Sequence, residues 1–134
     1  MTRVLLAEDN QTLLEDITLE LEMRDYEVLQ AMDGQVALEI LRTTTPLPDI
    51  IVSDIAMPDV DGFKLLEYLR AEPEWNAIPF IFLTAFNSPN SVRIGKELGA
   101  DDYIVKPFQI DDLILAMESK LRRIKGLQSH TQRD

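Results

Sequence analysis

Five times along the chain, a short apolar run gives way to a stretch whose apolar residues return at helical spacing. This alternation constrains the fold more than any other feature. The runs are Val4-Leu5-Leu6-Ala7, Val28-Leu29-Gln30-Ala31, Ile50-Ile51-Val52, Ile78 to Leu83 with Pro79 near its start, and Tyr103-Ile104-Val105. Runs this short, rich in Val, Ile and Phe, read as buried strands. Between them, Leu13, Leu14, Ile17 and Leu21 share one helical face. Val36, Ala37, Ile40 and Leu41 share another, and Phe63, Leu66 and Leu69, with Leu65 beside them, a third. Ile94 and Leu98 form a thin stripe, in a stretch that Pro89 and Gly95 are expected to keep short. The cleanest stripe is Ile110, Leu113, Ile114, Met117, Leu121 and Ile124. Asp33-Gly34 and Asp61-Gly62 mark helix starts, the Thr43–Pro48 segment and Glu72-Pro73 mark helix ends, and Gly99 sits at a helix C′ position. The expected fold is therefore α/β: a doubly wound (βα)₅ domain whose parallel sheet is covered by helices on both faces. The pattern does not reveal the order of the strands.

This domain is expected to span residues 1–124. Residues 125–134 lose all periodicity and are polar, which fits a C-terminal tail or the start of a linker. The 13 basic and 24 acidic side chains leave a net charge of −11, which argues against direct binding to nucleic acid or anionic lipid. The absence of cysteine excludes a disulfide framework, Cys-ligated zinc and iron–sulfur clusters. No apolar run approaches the roughly 20 residues of a membrane span. The Met1-Thr2-Arg3 start lacks a signal-peptide layout, so a cytoplasmic protein without a membrane partner is expected.

The polar residues that follow the strands carry the chemistry. Glu8 and Asp9 follow the first run, Asp54 the third, Thr84-Ala85 the fourth and Lys106-Pro107 the fifth. In a parallel sheet all strand C-termini line one edge, where ligands bind in open α/β folds. Taken singly, each residue has an ordinary role: an acid as a helix cap, Thr84 as a turn hydroxyl, Lys106 as a solvated charge. Together they put three carboxylates on one rim, and two charges ~4 Å apart repel by roughly 4 kcal/mol at an effective dielectric of 20. Lys106 offsets part of this. Either protonation of one acid or a hard divalent cation must supply the rest, and Mg²⁺ suits a site of few carboxylates plus water.

At these residues the chain resembles the receiver domain of two-component response regulators, the CheY-like family. The motifs are Leu5-Leu6-Ala7-Glu8-Asp9, Pro48-Asp49-Ile50-Ile51-Val52-Ser53-Asp54, Met57-Pro58-Asp59-Val60-Asp61-Gly62, Leu83-Thr84-Ala85 and Gly99 to Phe108, and the resemblance covers about residues 3–124. The resemblance implies the flavodoxin-like strand order 2-1-3-4-5, which the pattern alone does not yield. It implies Asp54 as phosphoacceptor, and Mg²⁺ (with Mn²⁺ as a substitute) held by Glu8, Asp9, Asp54 and the backbone oxygen of Ala56. Lys106, Thr84 and Ala85 would contact the phosphoryl group, Thr84 and Tyr103 would switch, and the Lys106–Pro107 bond would be cis. Ala56 and Phe86 would flank the phosphoryl group and tune its lifetime. Ala56 has no side-chain amide or carboxylate to orient water, and Phe86 is bulky, so a long-lived phosphoaspartate is expected.

The function implied is a phosphorylation-activated signalling switch in a phosphorelay. A sensor histidine kinase or histidine phosphotransfer protein would donate the phosphoryl group. The surface of the fourth helix, fifth strand and fifth helix would then control a partner or output domain, compatibly with a phosphorylation-dependent homodimer. Such a protein is no enzyme beyond its own phosphotransfer and dephosphorylation. The alternatives are a Mg²⁺-dependent phosphohydrolase with an aspartyl-phosphate intermediate, or a non-phosphorylated docking receiver. The hydrolase would want a second acid where Ala56 stands, and the docking module would not need the intact acidic set. An FMN carrier of similar architecture would meet repulsion from Glu8-Asp9, and no GxGxxG or GxxxxGK phosphate loop is present. Met23, Met32 and Met117 are expected to pack, Trp75 to lie in the loop before the fourth strand, and His130 in the tail.

Overall fold

The computed structural model describes the backbone of residues 1–133 and the side chains of residues 1–124. The polar tail expected at 125–134, His130 included, lies outside the residues described in full. The elements alternate as β1 (Arg3–Ala7), α1 (Gln11–Glu22), β2 (Glu27–Ala31), α2 (Gly34–Thr43), β3 (Ile50–Ser53), α3 (Gly62–Ala71), β4 (Phe80–Thr84), α4 (Pro89–Glu97), β5 (Asp102–Val105) and α5 (Ile110–Arg133). The five strands form one parallel sheet of order β2-β1-β3-β4-β5.

Strand alternation sorts the core into two layers. Leu5, Ala7, Ile51, Phe80 and Phe82 meet α2 and α3 on one face, with Leu38, Leu41, Leu65, Leu66 and Leu69. Val4, Leu6, Ile50, Val52, Ile81 and Leu83 meet α1 and α5 on the other, with Leu14, Ile17, Leu21, Leu113 and Met117. Each such side chain contributes roughly 1.5–3 kcal/mol when fully buried. The centre of the sheet is therefore rigid, and its C-terminal edge is a fixed platform.

Helix starts are capped in one way. Asn10, Asp33, Asp61 and Ser88 each accept the N–H of the residue three positions on. Asn10, and neither Glu8 nor Asp9, caps α1, which leaves both acids free for the rim. Gly99 ends α4 at φ +100°, a backbone that side-chain-bearing residues rarely adopt.

Several expectations need correction. The fourth strand starts at Phe80, two residues later than the apolar run suggests. Pro79 has no N–H to give the ladder, although its carbonyl accepts from Ile51 N–H at 2.9 Å. In α2 the buried face uses Leu38 with Ala37 and Leu41, while Val36 is 41% exposed. Met23 and Met32 do not pack; they are 70% and 43% exposed, and of these three Met117 alone is core. Trp75 lies before β4 as expected, but its side chain is buried in the α2–α3 layer.

Candidate functional site

The rim assembles because three pairs of neighbouring strand ends are bonded together. Glu8 N–H donates to Ala31 O, Asp54 N–H to Ala7 O and Lys106 N–H to Thr84 O, all at 2.8–2.9 Å. The backbone thus holds β1, β2, β3, β4 and β5 in register where their chemistry begins. Gly62 tightens the next loop. Its N–H donates to Ile55 O at 2.8 Å, and a Cβ there would stand 2.2 Å from Asp54 O.

The side chains converge as the spacing suggested. Glu8, Asp9 and Asp54 each offer a carboxylate oxygen within 4.8 Å of the others. Glu8 and Asp54 are buried, and Asp9 is exposed. Lys106 Nζ donates to Glu8 Oε1 at 2.6 Å and to Asp54 Oδ2 at 2.9 Å. The other oxygens are also held: Asn10 N–H donates to Glu8 Oε2, and Ile55 N–H to Asp54 Oδ1 at 2.6 Å. Sequence reading had not singled out Asn10 or Ile55 for these contacts. Backbone donors carry no side-chain signature, although an Asn three residues before Leu13 is a legible cap.

Burial pushes the Glu8 carboxyl above its ordinary range, and the Asp54 charge adds to this against the pull of Lys106 and the Asn10 N–H. Burial also works against the Lys106 ammonium, but the hydrogen bonds and charges of Glu8 and Asp54 outweigh it and raise its pKa. Three carboxylates and one ammonium leave the notch two charges short of neutrality when all are ionised. The donor set is oxygen only, it is partly exposed through Asp9, and it fits a hard divalent ion of the Mg²⁺ kind.

Thr84 and Tyr103 are tied to one residue, Phe86. Thr84 Oγ1 is fully buried and accepts Phe86 N–H at 3.3 Å, while the Tyr103 hydroxyl donates to Phe86 O at 2.5 Å. Burial, with the Asp54 charge behind it, raises the Tyr103 pKa and keeps the phenol a donor. The Tyr103 ring lies 5.7 Å from that of Phe82. Ala56, Ala85 and Phe86 are exposed, Phe86 by 45%, so they lie outside the buried part of the notch. The Lys106–Pro107 bond is cis.

The family model described as "Response regulator receiver domain" matches residues 4–118, nearly the whole described domain. The chain belongs to the response regulator receiver domain family. Within that family it is 38% identical over 123 residues to the Two-component response regulator ARR10 of Arabidopsis thaliana, covering 92% of this chain and 22% of that protein. It is 37% identical over 123 residues to Response regulator ArlR of Staphylococcus saprophyticus, covering 92% of this chain and 54% of that one. The chain thus spans from about a fifth to about half of the curated relatives it matches. Among solved structures it is similar to the signal receiver domain of a signal transduction histidine kinase from Syntrophus aciditrophicus (TM-score 0.86, 34% identity, 93% of each chain). It is also similar to chemotaxis protein CheY4 of Vibrio cholerae (TM-score 0.82, 30% identity, 89% of this chain and 98% of that one). The receiver fold and the strand order implied by the resemblance are therefore those of this chain. Among the described residues no helix is long and apolar enough to cross a membrane.

Proposed function

We infer that this receiver domain takes a phosphoryl group from a phosphohistidine onto Asp54 and signals by the change that follows. The observation that carries the reading is the bridge of Lys106 between Glu8 and Asp54, beside Asp9, on the edge of a receiver sheet. Glu8, Asp9, Asp54 and the Ala56 carbonyl would hold Mg²⁺, for which Mn²⁺ could substitute. Bound there, the ion supplies charge neutralisation between the carboxylates and an incoming phosphoryl group.

The chain's own residues do the rest. Ile55 N–H and Lys106 fix the two Asp54 oxygens, so the nucleophile is oriented before the donor arrives. An Asp54 oxygen forms the new O–P bond, the P–N bond breaks, and the imidazole keeps the electron pair. Lys106 then has a phosphoryl oxygen to neutralise, and Thr84 and the Ala85 backbone lie along the strand end beside it. No general base is needed, because the acceptor is already ionised. Hydrolysis of the acyl phosphate resets the domain, so its chemistry acts only on itself. The phosphoryl charge draws Thr84 inward, Tyr103 follows, and the α4–β5–α5 surface changes for a partner, an output domain or a second copy. The donor would be a sensor histidine kinase or a histidine phosphotransfer protein in the cytoplasm.

Acetyl phosphate with Mg²⁺ tests the reading by intact mass. One phosphate adduct is expected, lost in Asp54→Ala and without Mg²⁺. Steady turnover of phosphate esters would show a hydrolase instead, and no adduct under any of these conditions would show a docking module.

A further inference from the structure

One residue in the seam between α4 and β5 has no side chain. Gly95 is the sole buried residue of the nine in α4. A Cβ at this position would stand 3.2 and 3.3 Å from Cε2 and Cδ2 of Phe82 and 3.3 Å from Cδ2 of Tyr103. Carbon atoms prefer about 3.5–4.0 Å, so something would have to give.

The neighbours differ in how far they can move. Phe82 is fully buried and braced edge-on by Phe80 at 4.9 Å and Phe63 at 5.5 Å. The C-terminal end of α4 is anchored as well. Ala100 N–H donates to Gly95 O, and Arg70 donates to Gly99 O through Nε and Nη2 at 3.2 and 2.7 Å. Tyr103 is half-buried, and its hydroxyl is tied by one hydrogen bond to Phe86 in an exposed loop. The ring of Tyr103 is the part free to yield.

We propose that Gly95 is a positioning residue of the switch: the missing side chain makes the seat in which the Tyr103 ring lies against Phe82. Residue 95 thereby sets the balance between a packed and a solvent-facing Tyr103. Because Thr84 and Tyr103 both bond to Phe86, one at its N–H and the other at its carbonyl, that balance is linked to the hydroxyl facing the phosphoryl site. This deepens the reading above and rests on it for the link to phosphorylation.

The test uses the full chain labelled with 3-fluorotyrosine, with the Tyr103 ¹⁹F resonance assigned by its loss in Tyr103→Phe. In the resting protein, Gly95→Ala should move the Tyr103 resonance to a solvent-exposed position and leave Tyr26 and Tyr68 in place. The few tenths of an ångström missing around a Cβ shift the balance of the ring away from its packed position. Adding Phe82→Leu to Gly95→Ala reopens the seat and should return the resonance. With acetyl phosphate and Mg²⁺, the wild-type Tyr103 signal should shift on phosphorylation, while Gly95→Ala takes the adduct with most of that shift lost. The proposal is overturned if Tyr103 in Gly95→Ala superimposes on wild type, or if Phe82→Leu does not restore it. An unfolded Gly95→Ala by circular dichroism would also overturn it, since the clearance would then serve the core and not the switch. If the wild type takes no phosphate but Tyr103 still moves in the resting variant, the seat stands and the phosphoacceptor reading falls.

Discussion

β3 and β5 are both four residues long, run parallel in one sheet and deliver a functional residue to the same rim, yet they are built differently. Every residue of β3 is buried, and every residue of β5 is only half-buried. β3 lies in the middle of the sheet and ends in Asp54, whose two oxygens are both held. β5 is an edge strand and carries Tyr103, held at its hydroxyl by a single bond. The difference puts the group that the proposed chemistry needs fixed in a fully buried central strand, and the group that it needs to move on the margin.

The largest effect should come from testing that contrast in the core. Ile51→Ala in β3 should destabilise by about 2–5 kcal/mol. Ile104→Ala in β5, half-buried, should cost less than half as much. Urea midpoints at unchanged m-value measure both, and equal losses would break the comparison.

Charge gives the next largest effect. The Glu8 carboxyl is raised above its ordinary value of 4.5, chiefly by burial. A raised acid favours the fold below its ordinary value, and that contribution is lost as pH rises through the folded value. At neutral pH the ionised Glu8 therefore weighs against the fold, and Mg²⁺ should relieve it. Thermal melts should show stabilisation of about 2.7 kcal/mol at a hundredfold excess over Kd. The gain should vanish as pH falls through the raised value of Glu8; a gain that persisted in acid would locate the ion elsewhere. On the alkaline side, Lys106 is raised above its ordinary value of 10.5 by Glu8 and Asp54, although burial opposes this. Its contribution is present below 10.5 and lost as pH rises through the folded value, so Lys106→Met should flatten the alkaline loss of stability.

The smallest effect belongs to the open rim, where neither strand governs. Ala56→Asn adds an amide that can orient water and should shorten the phosphoaspartate lifetime several-fold without changing Tm. Decay followed by phosphate release checks it, and an unchanged rate would remove Ala56 from the tuning positions.

Much of this was legible in the residues themselves. Five apolar runs predicted five strands, and the polar groups after them predicted the notch, because a parallel sheet gathers its strand ends whatever the loops do. Strand order came from family resemblance, since alternation of β and α leaves many orders open. The face of α2 differs from the expected one because Val36 and Leu38 are both apolar, and it is Leu38 that the fold turns to the core. Met23 and Met32 were expected to pack by residue type, but each directly follows the end of its element and is exposed. The hold of Ile55 and Asn10 on the acids is a backbone matter and leaves no trace in side-chain pattern.

The close approach of Gly62 to Asp54 also limits how this scaffold can diversify. With 2.2 Å between a would-be Cβ and the Asp54 carbonyl, the Ile55–Asp61 connection has no slack for bulk at its exit. The solvent-facing stretch from Ala85 to Ser88 meets no such wall, and is a margin of the notch with room for a new upstream donor to be accommodated.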